Sequence, residues 1–492
     1  MFELLHPSIL IPWMLGMLFG VFVGSTPGLT ATMAVALILP LTFHLGATAG
    51  LAMIIGVSFT AIFAGDIPAT FLRIPGTPAS AAATLDGYQM ARRGQGGLAL
   101  LLDLLCSSIG GLIGVTLLIL IAPQLARFAL TFSHFEYFWL GVLGLSLSAL
   151  VSQGSTMKGV ASATLGVLLA TVGQDIVSGA PRFTGGRLEL LSGIDFIPAM
   201  IGLFGLAEVF RNLHSGPRQD ERREIQVTLP WRQAIGELVR YWRVVLQSSV
   251  IGTFVGALPG AGADIAAWAA YGVGQKTSAT PQDFGSGTTE GVIAPTSANN
   301  AAVGGAWIPA LVFGVPGDAV TAIVLGALLM HDIRPGPGLF EQNAEQLGMI
   351  FNIALITQIL LIPAGILAIK AFSWMMRMPR SLILTGVVIF SVVGAYALKQ
   401  EVFDIYVVFA FGLLGFGMER AKVPVAPLIL GMILGPVLEE NLRVGLIKEA
   451  GSLLPFFQRP ICQVMIFLLV TAFVATPLAR WWRWATARRS PS

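Results

Sequence analysis

Apolar residues in this chain fall into long unbroken runs rather than into alternation. The runs lie near 9–24, 29–43, 46–65, 97–122, 135–152, 157–177, 194–210, 244–258, 345–370, 381–398, 403–418, 424–437 and 460–480. Most approach the roughly 20 residues a helix needs to cross hydrocarbon, and a helix satisfies its own backbone groups along such a run. Apolar pieces near 66–90 and 291–330 are broken by Gly and Pro and read as holding re-entrant hairpins near 66–90 and 300–330. The pattern predicts an all-α polytopic membrane protein with about 12 transmembrane helices plus these hairpins. The first run, Ile9 to Val23, lacks a basic leader and is read as retained in the mature protein.

Composition agrees. Of 492 residues, 55% are hydrophobic and only 11% charged, where a soluble domain carries roughly 25% charged residues. A soluble domain and a disordered chain are both excluded. A net charge of +3 leaves no nucleic-acid footprint. Cys106 and Cys462 sit in apolar runs as small core residues, and the five histidines show no metal-ligand spacing. No cofactor or metal is expected beyond a coupling ion, H+ or Na+.

The one long polar stretch, 211–243, is read as a basic cytoplasmic linker, a solvated surface loop between two halves. It divides the chain into a first transmembrane repeat at 1–210, a second at 244–480, and a cytoplasmic tail at 481–492. Basic residues mark the inside: Arg92, Arg93, Lys158, the linker, Arg377, Arg420, Lys422 and Arg480 to Arg489. The N-terminus is then periplasmic and the C-terminus cytoplasmic. The Trp481-Trp482-Arg483-Trp484 cluster reads as an interfacial belt. Glu439, Glu440 and Asn441 end an apolar run and are expected to face water.

A motif recurs across the linker. Residues 20–28 read Gly-Val-Phe-Val-Gly-Ser-Thr-Pro-Gly, and 252–260 read Gly-Thr-Phe-Val-Gly-Ala-Leu-Pro-Gly. A second Pro-Gly follows each, at Pro75-Gly76 and Pro316-Gly317, and then a Gly-rich turn after Arg93 and after Arg334. An odd number of predicted crossings separates the copies, which makes two inverted-topology repeats, an architecture of secondary transporters. Pro-Gly breaks a helix, and broken backbone persists in a membrane where it faces a cavity or ligand. Tips are predicted at Pro75–Ser80 and Pro316–Thr321, beside breaks at Pro27–Thr32 and Pro259–Asp264.

Helix N-termini at such breaks attract anions, and hydroxyl and amide side chains cluster there. The predicted substrate lining is Ser25, Thr26, Pro27, Gly28, Arg73, Pro75, Gly76, Thr77, Ser80, Pro259, Gly260, Thr296, Asn299, Asn300, Pro316 and Gly317. It suits an acid with carboxylates at separate points. Hydroxyls on membrane helices also commonly bond their own backbone. Charges inside a membrane are costly and functional. Asp66, Asp264 and Asp318 are the candidates for cation coupling, with Asp318 also placed to cap the next helix. Arg73 is placed to pair with substrate or with Asp66. Asp86 and Asp103 belong to the same set of intramembrane charges and read rather as loop or cap residues.

At these motifs the chain resembles the large membrane subunit of the tripartite tricarboxylate transporters. The resemblance rests on Val23-Gly24-Ser25-Thr26-Pro27-Gly28, Ile74-Pro75-Gly76-Thr77-Pro78-Ala79-Ser80, Asp86-Gly87-Tyr88-Gln89-Met90-Ala91-Arg92-Arg93-Gly94-Gln95, Leu258-Pro259-Gly260-Ala261-Gly262 and Ala294-Pro295-Thr296-Ser297-Ala298-Asn299-Asn300-Ala301. It implies a bacterial inner-membrane symporter for di- or tricarboxylates with two partners, a small membrane subunit and a periplasmic solute-binding protein. Uptake would draw on an ion gradient. No phosphate-binding G-x-x-x-x-G-K-[ST] loop is present. The chain departs from the family pattern at Asp66, Arg73, Thr296 and Asp318, where the family usually has Ser, Asn, Glu and a small residue, and at Thr26, where Leu is typical. The added charges leave the identity of the acid open.

The leading reading is a secondary carrier, with elevator-type movement as one form of it, and not an enzyme. A channel or scaffold subunit is the first rival. An intramembrane aspartyl protease is the second, and the absence of its G-x-G-D pattern speaks against it.

Overall fold

The described residues are mostly helical. A computed structural model describes residues 4, 6–26, 29–151, 155–175, 178–215, 228–375 and 380–487, without the side chains at 151, 214–215, 373–375, 380 and 474–487. Pro27, Gly28, Arg218 to Glu224, Arg377, Arg488 and Arg489, and the side chains of Arg480 to Trp484, therefore lie outside the described residues.

The first part of the chain forms α1 (Pro7–Ser25), α2 (Ala31–Thr42), α3 (Ala47–Ala64), α4 (Asp66–Leu72), a short turn at Pro78–Ser80, α5 (Thr84–Arg92) and α6 (Gly96–Ala129). Next come α7 (His134–Val151), α8 (Thr156–Ala170), the strands β1 (Gly173–Gln174) and β2 (Pro181–Arg182), α9 (Phe196–Met200), a π-helical segment (Ile201–Leu206) and α10 (Ala207–Ser215). The second part forms α11 (Trp231–Arg240), α12 (Trp242–Gly256), α13 (Gly262–Thr277), α14 (Thr289–Phe313) and α15 (Ala319–Met330). It closes with α16 (Leu339–Gln342), α17 (Ala344–Met375), α18 (Arg380–Lys399), α19 (Val402–Arg420), α20 (Ala426–Lys448), α21 (Pro455–Gln458) and α22 (Pro460–Ala487). Among the described residues, 7 helices are long and apolar enough to cross a membrane, and shorter apolar helices include α2, α8 and α15. Large apolar side chains stand exposed on the long helices, among them Ile11 and Leu15 on α1, Leu120 on α6 and Ile389 and Val393 on α18. Water would penalise such surfaces and lipid does not.

Two discontinuous compact units form: Met1–Leu130 with Asp195–Ala421, and Thr131–Ile194 with Lys422–Ser492. Each half of the repeated sequence thus contributes chain to both units.

In the larger unit, glycines set the helix spacing. A Cβ at Gly24 of α1 would stand 2.4 Å from the Ala61 carbonyl oxygen of α3. At Gly256 of α12 it would stand 2.2 Å from the Ala302 carbonyl oxygen of α14. Small residues allow this backbone approach between membrane helices. Helix α6 packs chiefly on α14, and α17 packs on α3. Phe63, Ile67, Leu100, Leu104, Leu361 and Phe372 close one core cluster among α3, α4, α6 and α17.

Helix α4 continues α3, so that Ala47–Leu72 is one apolar run of 26 residues leading into the first Pro-Gly tip. Within 211–243, Trp231–Arg240 is a helix rather than plain loop. Its Ala234 is buried against Leu98, Leu102 and Val245, while Trp231, Ile235 and Val239 are exposed along it.

In the smaller unit, α20 packs on α7 and α8, and α22 on α7. Phe456 meets the rings of Phe135 and Phe138 edge-on, at 4.8 and 5.3 Å. Glu136 is buried and held by Arg459 at 2.8 Å. Glu439 and Asn441 do not simply face water as expected. Glu439 takes a two-pronged hydrogen bond from Arg182 at 2.7 and 3.1 Å, and Asn441 bonds His134 at 3.0 Å. A carboxylate near an apolar helix is cheaper to keep when paired.

Candidate functional site

Both Pro-Gly tips break their helices, and they do so alike. The same chain offset relates Pro68 to Pro309, Arg73 to Gly314, Gly76 to Gly317, Thr77 to Asp318 and Ser80 to Thr321. Helix α4 ends at Arg73 in the left-handed region, φ 56°, and α14 ends at Gly314, φ 68°. Ile74 N–H reaches back to the Pro68 carbonyl at 3.4 Å, and Val315 N–H to the Pro309 carbonyl at 3.3 Å. After each Pro-Gly comes a hydroxyl or carboxyl pair: Thr77 with Ser80 at 2.9 Å, and Asp318 with Thr321 at 2.8 Å. Gly76 and Gly317 are packed so tightly that an added Cβ would stand 2.3 Å from the Gly24 carbonyl oxygen and 2.6 Å from that of Gly256.

The crossing helices break beside the tips. Helix α1 ends at Ser25 and α2 begins at Ala31, capped by Thr30; α12 ends at Gly256 and α13 begins at Gly262. Gly260, at φ 82°, donates its N–H to the Gly317 carbonyl at 2.7 Å, which ties break and tip of the second half together. Across the halves, the Pro78–Ser80 turn packs on α13, and α15 packs on α2. Each tip therefore rests on the helix that follows the other half's break.

The predicted site residues sort into three groups. Ser25, Thr26 and Thr296 donate their hydroxyls to their own helix, to Val21, Phe22 and Val292 carbonyls at 2.6, 2.8 and 2.8 Å. That is the local bonding such hydroxyls commonly make. Arg73 and Pro75 are exposed on the first tip, with the Arg73 guanidinium 5.6 Å from the centre of the Tyr88 ring. Among the described residues Arg73 has no ion pair, so it does not pair with Asp66. Asp264, in the first turn of α13, lies near Asp318: a Cβ at Gly262 would be 3.0 Å from Asp264 Oδ1 and 3.9 Å from Asp318 Oδ2. Asp318 caps α15 through a reciprocal box with Thr321, taking the Thr321 N–H at 2.7 Å.

The third group is a buried polar cluster. Asp66, Ser80, Asn299 and Asn300 are all at most 1% exposed. Asn299 Nδ2 donates to Asp66 Oδ2 at 3.1 Å, and Asn300 Nδ2 to the Ser107 carbonyl at 3.2 Å. The Ser80 hydroxyl and the Asp103 carboxyl both lie against Asp66. Asp103 in turn accepts from Ser107 Oγ at 3.2 Å. Asp103 was expected as a loop or cap residue; it is 1% exposed inside α6, beyond the helix's first turn. The signal was a lone acid within a long apolar run. Asp86 does act at a helix start, though not that of its own helix. Fully buried, it accepts N–H groups from Gly285, Gly287 and Thr288 at 3.0, 2.7 and 2.9 Å and the Tyr271 hydroxyl at 2.9 Å, ahead of α14.

The profile described as the tripartite tricarboxylate transporter TctA family matches residues 10–430. The chain belongs to this family. It is thus a multi-pass membrane component of a tricarboxylate transporter system, one whose family name denotes three parts. A relative from Agrobacterium vitis, described as an uncharacterized 52.8 kDa protein in the TAR-I ttuC′ 3′ region, is 37% identical over 469 residues, 94% of this chain and 92% of the relative. A second from the same organism, from the TAR-II ttuC′ 3′ region, is 35% identical over 217 residues, 44% of this chain and 90% of its own length. No solved structure matches this TctA-family chain.

Proposed function

We propose that this TctA-family chain carries an organic acid of the di- or tricarboxylate class into the cell across a bacterial inner membrane. An H+ or Na+ gradient drives it, a periplasmic solute-binding protein delivers the acid, and a small membrane subunit accompanies it. The observation that carries this reading is the pair of like-built Pro-Gly tips, each seated on the post-break helix of the other half. Broken helices meeting from two repeats are the device by which secondary carriers hold a charged solute. On this reading the repeats are inverted, with the N-terminus periplasmic, the C-terminus cytoplasmic and the 211–243 linker cytoplasmic.

The two tips differ in charge. The first carries exposed Arg73, and the second carries Asp318 with Asp264 nearby. A substrate carboxylate is assigned to the first tip, with Arg73, Gly76, Thr77 and Ser80. A cation is assigned to the acidic residues Asp66, Asp264 and Asp318.

The test is uptake of labelled di- and tricarboxylates and aromatic acids by cells with and without the gene, before and after removal of periplasmic contents. Uptake that vanishes on removal and returns with the extract supports the whole reading. Gene-dependent uptake that survives removal keeps the carrier and overturns the dependence on a binding protein. Gene-dependent flux that ignores imposed ion gradients favours a channel.

A further inference from the structure

The carboxyls of Asp66 on α4 and Asp103 on α6 are neighbours, both buried to 1% exposure in apolar helices. Each has one oxygen satisfied by a neutral donor, Asp66 Oδ2 by Asn299 and Asp103 Oδ1 by Ser107. Among the described residues the other oxygen of each, Asp66 Oδ1 and Asp103 Oδ2, has no donor within hydrogen-bond geometry, and the groups lying against Asp66 besides Asn299 are the Ser80 hydroxyl and the Asp103 carboxyl itself. Nor has the side-chain oxygen of Asn299, which is 0% exposed and whose amide nitrogen already holds Asp66. Buried acceptors left without donors cost on the order of 1–3 kcal/mol each. Two adjacent carboxylates in a low dielectric cost far more unless a positive charge joins them.

Among the described residues, no basic side chain acts on either carboxyl. Asn299 of α14 and Ser80 of the Pro78–Ser80 turn lie against Asp66, Ser107 lies against Asp103, and the other titratable group nearby is Cys106 on α6. Among the described residues, no group of three His, Cys, Asp or Glu side chains comes together.

We infer that Asp66 and Asp103, with the side-chain oxygen of Asn299, bind one monovalent cation, H+ or Na+, between the two carboxyls. This adds Asp103 to the coupling residues. It rests on the transport reading for its role in uptake, but not for the binding itself.

The test is therefore a binding test that needs no substrate. The purified full chain in detergent is unfolded thermally, first with NaCl replacing choline chloride at fixed pH, and then across pH 5–9 without sodium. A ligand that binds only the folded state raises Tm by mass action, here by about 3 °C at 100 times Kd. The wild type is expected to gain Tm either with sodium or with falling pH, and which of the two occurs names the cation. Asp103→Asn and Asp66→Ser should each lose most of that gain, while Asp103→Glu retains it. Two separate carboxyl variants keep the test valid if one does not fold. A gain equal to wild type in either folded variant overturns the inference, as does a wild type indifferent to both cations. A cation response without gene-dependent uptake of any acid would leave this site standing and sink the transport reading instead.

Discussion

Arg73 sits in left-handed backbone, a conformation costing a non-glycine residue roughly 1 kcal/mol or more. Its counterpart at the second tip is Gly314, for which the same conformation is free. Retaining a strained arginine on an exposed tip suits a task for its charge. Asn tolerates left-handed backbone, so Arg73→Asn should leave the amount of folded protein unchanged and lower carboxylate uptake at least tenfold. Wild-type uptake in that variant would remove Arg73 from the site. Asp86 makes the opposite case. It collects donors from Tyr271, Gly285, Gly287 and Thr288, all far away in sequence. Asp86→Asn puts an NH2 group among donors and should destabilise the chain by about 3 kcal/mol, read as a lower Tm in detergent. These two residues also mark what the sequence could and could not say. That both are charged within apolar surroundings was legible. Which groups they meet was not, because Asp86 finds partners about 200 residues away and a single sequence carries no register between distant helices. The same blindness left Asp103 legible as a charge within an apolar run but not as a neighbour of Asp66.

At the scale of elements, the Pro-Gly breaks were legible to within a few residues, since Pro and Gly act on the backbone locally. The interlocking of the halves was not. It depends on glycines that place the ends of α1 and α12 against α3 and α14 and then admit the tips Gly76 and Gly317. Because Gly24 and Gly256 make the same contact in the two halves, substituting either should have the same kind of effect. Gly24→Leu and Gly256→Leu each force a side chain into a neighbouring carbonyl and should cost at least the 1–3 kcal/mol typical of overpacking. Both variants should show reduced recovery of folded protein in membranes, measured by size-exclusion of a fluorescent fusion. Gly236→Leu, at a position with open space for a Cβ, is the control expected to recover normally. Two normal results at Gly24 and Gly256 would mean that the halves are not held by this approach of backbones.

For the whole molecule, the division into two discontinuous units matters more than the linker. Each unit draws on both halves of the chain, as two interleaved repeats would require. Periodicity could suggest repeats but not which helices share a unit, since that depends on packing between segments far apart in sequence. The inverted arrangement makes a definite demand: the start of α1 and the start of α11 must lie on opposite sides of the membrane. Ser8 and Arg232 are exposed at those positions, while the native cysteines, Cys106 and Cys462, are both 0% exposed and should contribute little background. Ser8→Cys should react with a membrane-impermeant maleimide once the outer membrane is opened, and Arg232→Cys only after the inner membrane is permeabilised. If both react from outside, or neither does, the copies enter from the same side and the repeats are parallel. The tips would then reach the bilayer interior from one face, and access could not alternate by exchanging the roles of the two halves. Opposite labelling leaves that exchange open, because each tip already rests on the helix following the other's break. A shift of one half must then move the other's tip with it.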